Sequence, residues 1–216
     1  MNLRYVAAAG AAALLLTGCQ AQPPGAAAVV DGHTISMERA DDAAEVYCRL
    51  TLVTAQQQGV STVSNSEVRR QAVSDLVLAR VADRLARERD IDVPTSAYTL
   101  NAEQRANVAR TVSSLPARTA VDVVESSQRT FVIATLIGEQ LQGKELDVTK
   151  GTDDLQSAGL EELLAELKQE KVRYDPRFGL TRAGQPRSTT TGSLSVSEEP
   201  LADGAQGDLP STQRCA

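Results

Sequence analysis

Large aromatic side chains are scarce in this sequence. Aromatic residues make up 3% of its 216 positions, and there is no Trp. Hydrophobic residues still make up 42%, which is enough material for the core of one domain of ordinary size. Because Ala, Val and Leu bury less area than aromatic residues, we expect helices that pack closely through small side chains, with a modest net stability.

An excess of positive charge is also missing. The formal net charge is −6, and Arg4 is the only charged residue among the first 18, so the chain from residue 19 onward carries −7. Nucleic-acid binding needs a surplus of Lys and Arg to neutralise phosphates, and a polybasic membrane patch needs a cluster of them. The composition therefore argues against both kinds of partner.

Side chains that commonly carry out chemistry are few. The sequence has one histidine, His33, and it lacks a Cys-x-x-Cys pair, a phosphate-binding glycine loop and a Gly-x-Ser-x-Gly elbow. A lone histidine in a hairpin is more typical of a surface residue than of a base or a metal ligand. Several carboxylates are adjacent in sequence, but neighbouring residues on a helix do not face each other; they are Asp41/Asp42, Asp153/Asp154 and Glu161/Glu162. We expect no enzyme, no metal, no cofactor and no small-molecule substrate.

The amino-terminal segment has the layout of a signal peptide. Arg4 precedes an apolar run from Val6 to Leu16, whose length lies within the roughly 7–15 residues of a signal-peptide core and below the roughly 20 that a spanning helix needs. The run ends in Leu16-Thr17-Gly18-Cys19, which resembles the bacterial lipobox at all four positions. The resemblance implies that residues 1–18 are removed and that Cys19 carries a diacylglycerol thioether, with palmitate among its acyl chains. The alternative is a simple secretory signal in which Cys19 is a bystander.

Composition divides the remaining chain into three parts. Residues 19–27 contain Pro23, Pro24 and Gly25, which do not join a helix, and we expect a tether between membrane and domain. Residues 28–180 carry the periodic apolar positions of a helical domain. Residues 181–216 are rich in Thr, Ser, Gly and Pro, so we expect a disordered tail.

A hairpin opens the predicted domain. Asp31-Gly32 stands between two β-branched stretches at 29–35, which is a strong signal for a type I′ turn. Ser36 then precedes a helical pattern as a good N-cap. Helices are predicted at about 37–58, from Ser64 or Ser66 to about 89, within 96–114, at 117–141 and at 153–171. The second half of the fourth helix is apolar on more than one side, which indicates a central buried helix.

A short strand at Val172–Tyr174 follows the last helix. An isolated two-stranded hairpin is marginal in water, so we expect this strand to pair with the hairpin near Val29 and to join the two ends of the domain. The predicted fold is mainly α: a bundle of four to five helices with a small antiparallel β element.

Three cysteines are present, at 19, 48 and 215. Cys48 falls near the apolar face of the first helix, and a small buried thiol is the favoured interpretation. The alternative is a disulfide with Cys215, which would hold the tail against the domain in an oxidising compartment.

The hairpin and the closing strand resemble parts of a known family. Val29-Val30-Asp31-Gly32 through Ile35, feeding helices behind a lipobox, looks like the amino-terminal chaperone domain of the SurA and PrsA foldases, which have a Val-Val-Asn-Gly-x-x-Ile pattern. Residues 172–179 resemble the strand and Pro-Arg-Tyr-Gly turn that end such domains in related lipoproteins. In that family a parvulin isomerase with a histidine pair accompanies the domain, whereas this chain has His33 alone.

The resemblance implies a chaperone module without its isomerase. We expect it to bind unfolded or partly folded secreted polypeptides on the extracytoplasmic face of the cell membrane, to which a lipid holds it. The alternative is a non-catalytic adaptor that binds one defined envelope partner through its acidic surface or its tail. An isomerase activity is the least favoured hypothesis.

Overall fold

The computed structural model describes residues 22–60, 62–143, 153–187 and 210–215. The expected signal peptide at 1–18 and the lipobox residues Leu16, Thr17, Gly18 and Cys19 lie outside these ranges. Within them the chain forms five α-helices and one three-stranded antiparallel sheet, which confirms the predicted fold class. In chain order the elements are β1 (Ala26–Val30), β2 (His33–Ser36), α1 (Met37–Gln57), α2 (Asn65–Glu88), α3 (Ala102–Thr111), α4 (Ala117–Gln142), α5 (Asp153–Gln169) and β3 (Val172–Tyr174).

The hairpin forms as predicted. Val30 lies opposite His33, and Val29 lies opposite Thr34. Asp31 and Gly32, the two residues of the turn, have φ angles of 46° and 81°. Positive φ at both positions defines the type I′ turn, and Asp and Gly are among the residues that adopt it most readily.

The two ends of the domain meet in the sheet. Strand order is β2-β1-β3, with Val29 opposite Arg173. The Asp175 amide continues the pairing and donates a hydrogen bond to the Ala27 carbonyl at 2.8 Å. The predicted pairing of 172–174 with the hairpin is therefore confirmed, and β1 is the central strand, with all five of its residues buried.

The expected tether ends earlier than Ala27. Ala26 and Ala27 belong to β1 and are almost completely buried, at 1% and 0% exposure. Their alanine side chains gave no strand signal, since β propensity favours β-branched and aromatic residues. The chain joins the domain at Gly25, whose carbonyl accepts a hydrogen bond from the Met37 amide at 2.7 Å.

Helix boundaries follow the local capping chemistry. The Ser36 hydroxyl accepts a hydrogen bond from the Arg39 amide at 3.1 Å and caps α1. Gly143 takes the left-handed conformation that closes α4. The third helix, predicted within 96–114, is confined to α3 at Ala102–Thr111. It begins after its N-cap Asn101, whose side chain forms a capping box with Gln104. No helix in the described ranges combines the length and the apolar character needed to cross a membrane.

Helices α4 and α5 touch through their backbones at two glycines. A Cβ atom added to Gly159 would lie 1.7 Å from the carbonyl oxygen of Ala134, and one added to Gly138 would lie 1.9 Å from that of Leu155. This contact agrees with the expectation of close packing through small side chains. Helix α4 also packs against α1, α2 and α3, so its central position is as predicted. It is not buried all round, however, because Phe131 and Leu141 are 48% and 51% exposed.

The tail departs from the expected disorder in two places. The Ser74 hydroxyl donates to the Gly184 carbonyl at 2.9 Å and holds residues 181–187 against α2. The Cys215 amide donates to the Val63 carbonyl at 2.9 Å, so residues 210–215 also pack on the domain. Composition could not reveal these contacts, because their partners lie more than 100 residues away. Residues 188–209 lie outside the described ranges.

Cys48 and Cys215 form a disulfide. The favoured interpretation of Cys48 as a free buried thiol is therefore wrong, and the alternative is correct. Both cysteines are buried, beside Val68 at the start of α2. The bond joins residues 167 positions apart. A loop of this length restricts the unfolded chain strongly, and such a bond typically contributes about 2–4 kcal/mol to stability.

The α4–α5 contact predicts the effect of one added methyl group. Gly to Ala inside a helix normally stabilises by about 1 kcal/mol. Gly159→Ala should instead destabilise by roughly 1–3 kcal/mol, because the methyl group overlaps the α4 backbone and forces the helices apart. Urea unfolding followed by circular dichroism measures the change. Ser157→Ala, at an exposed position of the same helix, is the control and should stay within about 0.5 kcal/mol of wild type. A Gly159→Ala protein as stable as wild type would contradict the close contact.

Candidate functional site

A cleft of about 270 Å³ opens between α2, α4 and α5, with Tyr47 of α1 at its inner end. The two glycines bring α4 and α5 together where Gly138 faces Leu155 and Gly159 faces Ala134, and the cleft begins directly beyond the Gly159 contact, near residues 126–131 and 160–164. Larger side chains line this part of the gap. The cleft is therefore a consequence of where the small residues stand along the two helices.

The rim of the cleft is apolar and partly open to solvent. Phe131 of α4 and Leu164 of α5 are 48% and 40% exposed. Leu160 lies one turn before Leu164 on the same face of α5, and Leu78 of α2 completes the wall. Large exposed apolar side chains that border one concavity are typical of a surface that binds another molecule.

The floor of the cleft is polar. Tyr47, Asp75 and Ser127 line it together, and Gln71 lies one turn before Asp75 on α2. The interactions of Tyr47 and Gln71 with the Asp75 carboxyl group favour its charged form. Thr130 lines the cleft as well, but its hydroxyl donates to the Ser126 carbonyl at 3.1 Å within α4.

Burial controls the protonation of this floor. Desolvation raises the pKa of Asp75 to about 6, although the hydrogen bonds from Tyr47 and Gln71 favour its charged form. Desolvation also raises the pKa of Tyr47 to about 12, and the negative charge of Asp75 adds to the effect. At neutral pH the cleft therefore holds a carboxylate paired with a neutral phenol. At mildly acidic pH the carboxyl group takes up a proton.

The floor has the chemistry of a binding surface. The sole histidine of the sequence, His33, is exposed at the first position of β2, a strand that does not line the cleft. What the floor offers is a carboxylate acceptor and an amide side chain at the bottom of an apolar slot. Such groups orient a peptide-like ligand through hydrogen bonds.

The residues that the sequence singled out do not meet at one site. Asp41 pairs with Arg69, and Glu162 pairs with Arg89, while Asp153 and Asp154 are exposed at the start of α5. Across the described ranges, no group of three or more His, Cys, Asp or Glu side chains could hold a metal ion. Asp75 and Tyr47 carry no signal in the sequence that connects them, because no periodicity links residues on two different helices.

No family model matches the chain, and neither a curated protein nor a solved structure does.

The raised pKa of Asp75 predicts a pH-dependent stability. The native carboxyl group keeps its proton up to about pH 6, whereas the unfolded chain releases it near pH 4. The native state thus binds more protons between these values. The stability that the neutral acid contributes to the native state is fully present below about pH 4. It is lost as the pH rises through about 6 and stays lost at higher pH.

Asp75→Asn should remove this loss. The free energy of unfolding of the variant, relative to that of wild type, should rise by up to about 2 kcal/mol from pH 4.5 to pH 7.5. Urea unfolding at these two pH values measures the change. Asp92→Asn, at an exposed loop position, is the control. Its free energy of unfolding should differ from that of wild type by the same amount at both pH values. If Asp75→Asn also keeps a constant difference, the buried carboxyl group does not titrate as described.

Proposed function

We propose that this chain is a membrane-anchored extracytoplasmic lipoprotein whose helical domain binds unfolded or partly folded secreted polypeptides without chemical conversion. The observation that carries the proposal is the cleft, in which exposed Phe131 and Leu164 border a polar floor of Tyr47 and Asp75. The resemblance of the hairpin and closing strand to SurA-type chaperone domains favours the same function.

The size of the cleft suits one or two side chains of a polypeptide. Its volume of about 270 Å³ lies just below the roughly 300–1,000 Å³ of most small-molecule sites. An apolar client side chain fits between Phe131 and Leu164, and the Asp75 carboxylate can accept a hydrogen bond from a client amide. Burying one such side chain contributes about 1.5–3 kcal/mol, so each contact is weak. Weak and repeated contacts suit a protein that holds many clients and releases them.

The cysteines support an extracytoplasmic location and a lipid anchor. Disulfides persist in oxidising compartments outside the cytoplasm, and Cys48–Cys215 is such a bond. Of the three cysteines in the sequence, this bond leaves Cys19, the residue that the lipobox pattern marks for acylation. Labelled palmitate should be incorporated into the wild-type chain in cells and not into Cys19→Ser. Equal labelling of both proteins would contradict the anchor.

The cleft predicts which exposed apolar residues matter for holding a client. The chain from residue 19 onward should slow the aggregation of a chemically denatured client, measured by light scattering at several-fold molar excess. Phe131→Ser combined with Leu164→Ser should lose most of this effect, because the rim no longer offers apolar surface. Leu141→Ser is the matched control, since Leu141 is also exposed on α4 but does not line the cleft. The control should behave as wild type.

Two results would contradict the proposal. Wild-type protein that leaves aggregation unchanged would exclude a holding function, and equal losses in both variants would separate the function from the cleft. Crosslinking in cells distinguishes the adaptor alternative. Many crosslinked secreted proteins favour the chaperone function, whereas one stoichiometric partner favours the adaptor.

A further inference from the structure

A second concavity, of about 230 Å³, lies at the beginning of α1 and α2, apart from the cleft. Ser66, Arg69 and Arg70 of α2 and Arg177, just after β3, form its polar wall. Met37 and Phe178 form its apolar wall. We call it the arginine pocket. Three guanidinium groups converge on it in a chain whose net charge is −6.

The arginines of this pocket keep unused hydrogen-bond donors. Arg177 donates through Nε and Nη2 to the Asp175 carboxylate, at 3.0 and 2.9 Å, and Arg69 pairs with Asp41. Arg70 forms no ion pair with any residue in the described part of the chain. Each guanidinium has five N–H donors, so the two pairs leave several free. Three cations against two carboxylates leave one positive charge, and the fork geometry of arginine matches a phosphate group.

The position of the pocket indicates where the phosphate comes from. Met37, which lines the pocket, donates its amide proton to the Gly25 carbonyl at 2.7 Å, so the pocket adjoins the point where the chain joins the domain. Gly25 lies six positions after Cys19, and such a segment spans at most about 20 Å. Given the lipid anchor proposed above, this face of the domain lies within that distance of the bilayer.

We propose that the arginine pocket binds the phosphate of an anionic phospholipid headgroup in the membrane that anchors the chain. The composition argued against a polybasic patch, and this site differs from one, since it gathers three arginines around one concavity. A short tether raises the effective concentration of its target to roughly millimolar, so a weak site is sufficient. Occupation of the pocket would fix how the domain is oriented on the membrane.

Met37 provides a local probe of the pocket. The sequence contains two methionines, Met1 and Met37, so the chain from residue 19 onward has only the one that lines the pocket. Carbon-13 labelling of its methyl group gives a single NMR signal. Cys48 and Cys215 are joined, so the Cys19 thiol can be coupled selectively to a maleimide lipid in a lipid nanodisc. This coupling makes the test independent of whether cells acylate Cys19.

The test compares nanodiscs of phosphatidylcholine with nanodiscs that also contain phosphatidylglycerol. The Met37 signal should shift several-fold more on the discs that contain phosphatidylglycerol than on the discs of phosphatidylcholine alone, and high salt should reverse this shift. Arg70→Gln combined with Arg177→Gln should lose the shift. Arg118→Gln should keep it, because Arg118 lies 93% exposed on α4, away from the pocket. Arg70→Gln alone is the milder change, because Arg70 forms no ion pair within the described ranges, and it should reduce the shift. A thermal melt checks that each variant folds.

Inorganic phosphate added to the phosphatidylcholine discs separates the two sources of the ligand. The proposal predicts that the anionic discs shift the signal at a phosphate concentration where the free ion has little effect. Equal signals on both kinds of disc would overturn it. A full shift with free phosphate and none with anionic discs would also overturn it, since the site would then bind a soluble anion. Neither result would bear on client binding in the cleft, which the aggregation assay tests separately.

Discussion

The fold depends on β1, a strand of five buried residues between β2 and β3. One partner comes from the hairpin at the start of the domain, and the other follows the last helix, more than 130 residues later. The backbone groups of β1 are satisfied from both sides while its Ala and Val side chains pack against Val73, Val77 and Val81 of α2. The disulfide adds a second tie between distant parts of the chain, from α1 to Cys215.

Small residues determine how closely α4 and α5 approach and where the cleft begins. Where Gly159 stands opposite Ala134 and Gly138 opposite Leu155, the two helices approach until their backbones touch. Directly beyond the Gly159 contact, the larger side chains of Leu160, Leu164 and Phe131 line a gap that nothing in the described chain fills. The polar floor of that gap gathers Tyr47, Gln71 and Ser127 near Asp75, and burial raises the pKa of the Asp75 carboxyl group there.

Local chemistry made most of the fold predictable, and distant contacts made the remainder unpredictable. The Asp31-Gly32 turn and the Ser36 cap are each determined by neighbouring residues, so the sequence identified them. The pairing of β3 with β1 followed from the instability of an isolated hairpin. The close contacts of Gly138 with Leu155 and of Gly159 with Ala134, and the meeting of Tyr47 with Asp75, each join separate helices. No spacing along the chain reveals such partners, and the cleft depends on them. The Cys48–Cys215 bond was open to prediction only as one of two alternatives, because a cysteine near the apolar face of a helix is also compatible with a buried thiol.

The central claim is that the sheet closes the domain as one cooperative unit. Native-state hydrogen exchange tests it most directly, by comparing the hydrogen-bonded amides of β1 with that of Val77 in the core of α2. The account predicts that both exchange only through global unfolding, with the same free energy of opening and the same dependence on denaturant. Exchange of the β1 amides through local fraying, at a much lower free energy while Val77 stays protected, would contradict it.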